Sequence, residues 1–106
     1  MLLQKSGYDT GDIATFKLVN GDEIVAKVLE DSAQDFVIER PCTVVPSQKG
    51  IMLIASLFTA DTDIKVTLHK NHVLLHAPTV KEVQNYYIQV TTGIQPVNGG
   101  SLVTGV

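Results

Sequence analysis

The stretch Leu18-Val19-Asn20-Gly21-Asp22-Glu23-Ile24-Val25-Ala26-Lys27-Val28 constrains this chain more than any other. Two alternating segments rich in β-branched residues flank an Asn-Gly pair, the strongest short-range hairpin signal a sequence offers. Asn20 and Gly21 both tolerate positive φ, so the spacing predicts a tight primed turn between two antiparallel strands. Upstream, Ala14, Phe16 and Leu18 share one strand face, with Thr15 and Lys17 on the other. Downstream, Ile24, Ala26 and Val28 share a face opposite Val25, Lys27 and Leu29.

The alternation continues. Phe36 and Ile38 open a third strand running toward Val45, and Pro41 within it belongs at an edge or a bulge because it brings no ladder donor. Residues 46–50 read as a loop. Ile51 to Phe58 is apolar on both faces, which requires cover either from within the chain or from a second subunit. Thr59 to Asp63 is a polar break. Ile64, Val66 and Leu68 then alternate with Lys65, Thr67 and His69, Lys70-Asn71 makes a turn, and a last strand runs from His72 to Ala77 before Pro78. At Thr79 the period changes. Thr79 and Glu82 have the capping-box spacing, Val83, Tyr86, Tyr87 and Val90 recur at helical intervals, and Gly93 is placed to end a helix over 80–92.

The 106 residues make one domain, large enough to bury roughly 65% of its unfolded surface. Only 18% are charged, and that low fraction with so many Val, Ile and Leu points to self-association. A net charge of −3 and a pI near 5.4 argue against a double-stranded DNA binder, whose affinity comes from phosphate contacts. Cys42 is the only cysteine, so there is neither an intrachain disulfide nor a zinc cluster. No apolar run approaches ~18 residues and no signal-peptide pattern opens the chain, which reads as a cytoplasmic protein with no membrane partner.

No motif carries a reaction. His69, His72 and His76 fall close in sequence, but on a strand His72 and His76 stand ~13 Å apart, too far to share a metal ion. Asp31 with Asp35, and Asp61 with Asp63, sit in polar connections where carboxylates are solvated. Cys42 lacks a basic neighbour on its own face to activate it. Tyr86 and Tyr87 are helix-docking residues at that spacing, with base stacking the other use of such rings. There is no phosphate loop and no serine elbow. The expectation is a non-enzyme without cofactor or metal.

The region from about Asp12 to Ala77 resembles the Sm-like family of Sm, Lsm and Hfq proteins. Leu18-Val19-Asn20-Gly21 is similar to the opening of the family's first motif, Ala26 stands where a second glycine is usual, and Asp31 and Asp35 are similar to its Asp-x-x-x-Asn, one residue closer to Gly21. Leu68-His69-Lys70-Asn71-His72-Val73 is similar to the second motif, with Lys70 and His72 resembling the Hfq form. The resemblance implies a small, strongly bent five-stranded Sm-like (SH3-like) barrel within 12–93, to which the residues themselves add a C-terminal helix in place of the family's usual N-terminal one, an irregular lead-in at 1–11 and a flexible tail at 94–106. It also implies a closed ring of roughly five to seven copies, the fourth strand of one subunit pairing with the fifth of the next. Interface residues would be Ile51, Leu53, Ala55, Leu57, Val73 and Leu75, and single-stranded RNA would be met at the pore by Lys70, Asn71, His72, His69 and Asp35. The compact, divergent pattern suits a phage or bacterial member. Ala33 occupies the position of the family's base-stacking residue, Asp35 that of the uracil-reading Asn, and His69 or Lys70 that of the Arg. Those departures imply weakened RNA binding, and they leave open a ring scaffold whose partner is a protein.

Overall fold

The computed structural model describes residues 7–61 and 63–93, and the tail expected at 94–106 lies outside them. Its strands are β1 (Ile13–Leu18), β2 (Glu23–Asp31), β3 (Asp35–Ser47), β4 (Gly50–Ala55), β5 (Lys65–His69) and β6 (Val73–Pro78). A 3-10 turn over Lys70–His72 joins β5 to β6, and one helix, α1 (Lys81–Thr92), follows. The fold is a mainly β domain built on a single antiparallel six-stranded sheet, ordered β4-β3-β2-β1-β6, with β5 also paired to β3. The sheet is not closed: β5 and β6 do not pair. The six strands follow the six segments marked by the alternation, one more than the five-stranded barrel that the resemblance implies, and the polar break after Ala55 separates β4 from β5, both partners of β3.

The hairpin forms where the Asn-Gly pair placed it, but not with a primed two-residue turn. Gly21 N–H donates to the Leu18 carbonyl (2.9 Å) and Leu18 N–H to the Asp22 carbonyl (2.8 Å), with Gly21 at φ +95°. Asn20 does not take positive φ; its side-chain oxygen accepts from Asp22 N–H at 3.0 Å instead. The turn therefore uses asparagine as a side-chain acceptor and leaves the left-handed residue to glycine.

β3 is bent at Arg40-Pro41. Val25 faces Cys42 and Lys27 faces Glu39, so Ala26 is opposed by two residues, and Arg40 adopts φ +52°. This is the bulge that Pro41 requires, and it lets one strand pair β5 through Asp35–Glu39 and β4 through Cys42–Ser47. The bulge leaves ladder groups without strand partners. The Tyr87 hydroxyl fills the gap, accepting from Lys27 N–H (3.1 Å) and donating toward the carbonyls of Glu39 (3.0 Å) and Arg40 (2.9 Å). Burial raises the phenol's pKa well above its ordinary value.

Bending gives the sheet two buried faces. Inside the curve, Ala14, Phe16, Ile24, Ala26, Val28, Phe36 and Ile38 form one core, with Phe16 and Phe36 rings 4.9 Å apart. Outside it, Ile13, Val25, Cys42 and Leu53 pack against Tyr86 and Tyr87 of α1. The two tyrosines dock the helix, as their spacing predicted, and base stacking is closed to them by burial. Cys42 is buried there too, and desolvation pushes its thiol up to about 11.

Two expectations need correction. Thr79 does not cap α1: it is buried, and its hydroxyl pairs with that of Thr15 at 2.8 Å. The helix starts one residue later than expected, after Val80, with no side-chain cap, and Gln84 reaches back to the Thr79 carbonyl at 2.7 Å. Gly93, at φ +80°, ends the helix as predicted. The turn expected at Lys70-Asn71 is three residues long and takes His72 out of the last strand.

Tyr87→Phe should lower unfolding free energy by about 1–3 kcal/mol, because it strands a buried N–H and a carbonyl. Urea unfolding checks this, with a lower midpoint at an unchanged slope as the expected result. Cys42 should resist alkylation in the folded protein and react only on unfolding.

Candidate functional site

The end of the sheet where β5 passes into β6 collects most of the polar residues that the sequence singles out. The 3-10 turn is held on two sides: Lys70 N–H donates to the Gln34 carbonyl (2.9 Å), and Val19 N–H of the hairpin tip donates to the His72 carbonyl (2.9 Å). The β2–β3 connection beside it is closed by Ser32, whose N–H (2.9 Å) and hydroxyl (3.0 Å) both donate to the Asp35 carbonyl. Between these two turns lies an open groove of about 530 Å³ lined by Ala33, Gln34, Asp35, His69, Lys70, Asn71 and His72. Residues expected to meet RNA, Lys70, Asn71, His72, His69 and Asp35, are thus brought together from two turns and two strand ends.

Three of them, Asp35, His69 and Lys70, already have polar partners. His69 Nδ1 lies 2.7 Å from Asp35 Oδ1, on the register pair that joins β5 to β3. The His69 and His72 rings stand 6.3 Å apart. The Lys70 ammonium donates to Asp31 Oδ1 and rests 4.5 Å above the centre of the Phe36 ring. Asp31 is the better buried partner, at 11% side-chain exposure against 32% for Lys70.

The anchor beneath Lys70 was not legible in the sequence. Tyr8, from the lead-in expected to be merely irregular, donates its N–H to Asp31 Oδ2 at 3.1 Å. Its hydroxyl lies 2.7 Å from His76 Nδ1, and its ring meets those of Phe36 (5.9 Å) and His76 (5.5 Å). Residues 7–11 do lack regular structure, yet Tyr8 closes the inner core. Burial by itself raises the Asp31 pKa, but the Lys70 hydrogen bond, the Tyr8 N–H and the charges of Lys70 and His76 outweigh it, and the net shift is downward. A lone tyrosine ahead of the first strand was the one available sign of this arrangement.

The residues expected at a subunit interface are split. Leu53 is buried under α1, Val73 packs against the inner core, and Ile51 is half-buried. Ala55, Leu57 and Leu75 are exposed or nearly so, Leu75 at 68%. Missed by the sequence pattern were Met52 and Ile54 on β4, Leu74 on β6, and Phe58 and Ile64 in the β4–β5 connection, all large apolar side chains left at the surface. A smaller cavity of about 160 Å³ lies between the bulge, that connection and the end of α1, with Cys42, Leu57, Ile64, Val66 and Val90 in its wall.

Among the described residues no group of three His, Cys, Asp or Glu side chains converges as metal ligands would, and no helix is long and apolar enough to cross a membrane. Comparison of the chain with protein-family models and with curated proteins found no match.

Asp31 binds fewer protons in the folded state than in the unfolded chain, so its contribution to stability is present above the ordinary carboxylate pKa and lost as pH falls through its lowered folded value. Asp31→Asn should cost about 1 kcal/mol at neutral pH. It should also flatten the fall in stability below about pH 4, measured by urea unfolding across an acid pH series.

Proposed function

We propose that this chain is a divergent Sm-like subunit that assembles edge to edge into a closed ring of roughly five to seven copies and binds single-stranded RNA weakly at the groove beside the 3-10 turn. The observation that carries the reading is the pair of open sheet edges. Among the described residues β4 and β6 are the two terminal strands of the ordered sheet, neither has a strand partner on its outer side, and each displays large apolar side chains. Flat apolar edges of this kind aggregate unless a partner strand covers them. One edge of each type per subunit gives a heterologous contact, and a heterologous contact that closes gives a ring.

Several features support the Sm-like form of that assembly. The strongly bent third strand, the hairpin at the start, and a last strand that returns beside the first all fit the resemblance in residues 12–77. In such a ring the grooves of successive subunits would repeat around one opening, so that weak contacts to a single strand add.

The neutralised Lys70 favours a second reading, in which the ring is a scaffold for a protein partner and RNA has no part. The ion pair with Asp31 removes from the groove the cation that phosphate binding would use first.

Light scattering of the purified protein should give a mass of about five to seven subunits; a monomer would overturn the ring. Leu75→Lys on β6 should shift that mass toward monomer without unfolding the chain, since Leu75 is exposed in the isolated subunit. Titration with a labelled single-stranded oligoribonucleotide separates the two readings: RNA binding should weaken between about 50 mM and about 200 mM salt, while the scaffold reading predicts no binding at either.

A further inference from the structure

Resting on the RNA-binding reading above, we infer that the phosphate-binding residues of the groove are His69 and His72 in their protonated forms, and that Lys70 is a structural residue, so that the groove takes up single-stranded RNA as pH falls. Among the described residues Lys70 is the only permanent cation in the lining, and its ammonium is committed to Asp31 and to the face of Phe36. Moving it to a bound phosphate would leave Asp31, the better buried of the two, without its hydrogen-bonded cation. That cost falls on binding itself.

The remaining basic groups are the two imidazoles. His69 comes from the end of β5 and His72 from the end of the 3-10 turn, which sets their rings 6.3 Å apart, a separation that two oxygens of one phosphate or two neighbouring phosphates can bridge. Both are exposed, His69 at 62% of its side chain, so a ligand reaches them without rearranging the core. The charged groups facing them are Asp35 from β3, in contact with His69, and the Asp31–Lys70 pair from β2 and the turn. With neutral imidazoles this set leaves one net negative charge, which repels phosphate. With both protonated it leaves one net positive charge. Protonation of the two imidazoles therefore reverses the sign of this set, and histidine is the side-chain type suited to such a switch.

A phosphate strengthens the case for protonation in turn, because a bound anion favours the charged imidazole. RNA binding and proton uptake are therefore linked, and acid should raise affinity together with its salt dependence.

The test is fluorescence anisotropy of a labelled single-stranded oligoribonucleotide against the assembled wild-type protein. Titrations at about pH 8 and about pH 5.5, each at two salt concentrations, should show affinity rising at least about tenfold in acid. The slope of log affinity against log salt should steepen by about 1.4 for each groove engaged, as two added phosphate contacts to a single strand require. His69→Gln with His72→Gln should bind equally at both pH values, whereas Lys70→Met should keep the acid gain while lowering the unfolding midpoint. Equal wild-type affinity at both pH values, or an acid gain that survives in the double variant, would overturn the histidine assignment and leave RNA binding standing. Absence of binding at either pH would overturn both.

Discussion

Everything in this domain leans on one phenol. The long third strand has to serve two partners, and it does so by breaking its ladder at Arg40-Pro41, where the backbone turns through a positive φ at a non-glycine residue. A break of that kind inside a sheet exposes polar backbone groups where water cannot reach them. The Tyr87 hydroxyl supplies an acceptor to one strand and a donor to the other, and its ring fills the space under the bend. The helix is thus not an appendage. It closes the outer core and completes the hydrogen bonding that the bend would otherwise forfeit.

The same bend shapes the surface. By turning β3, it places β4 and β5 on the same edge in series, and among the described residues the sheet is unclosed and no strand pairs the outer sides of β4 and β6. It also carries the start of β3 to the 3-10 turn, where Asp35 meets His69 and the β2–β3 connection meets Lys70. An apolar edge and a polar groove follow from one backbone decision. Beneath the groove, Asp31 is held by the Tyr8 N–H and in turn holds Lys70 in place.

Much of this was legible beforehand, and the failures have physical causes. Period-2 alternation located the strands, Pro41 marked an edge or a bulge, of which the structure has the bulge, and Val83-Tyr86-Tyr87-Val90 announced a docked helix ended by Gly93. The turn at Asn20-Gly21 was placed correctly and built differently, because asparagine can serve a turn through its side chain as well as through positive φ. Thr79 failed as a cap since tertiary packing set Thr15 beside its hydroxyl, and a pairwise contact across 64 positions leaves no local pattern. Leu53 looked like an interface residue because the run around it is apolar on both faces; only the position of α1 shows which face the molecule already covers.

The sequence by itself determined the secondary structure, the existence of the bend, and the cluster of polar residues at the β5–β6 turn. These rest on short-range steric and hydrophobic regularities, which a linear pattern records. Tertiary structure alone decided that Tyr87 would heal the bulge, that Tyr8 would reach Asp31, and that Lys70 would pair with Asp31 over the Phe36 ring while His69 meets Asp35. Those outcomes depend on hydrogen bonds and ion pairs between residues tens of positions apart, and which donor finds which acceptor is settled only when the chain has closed around them.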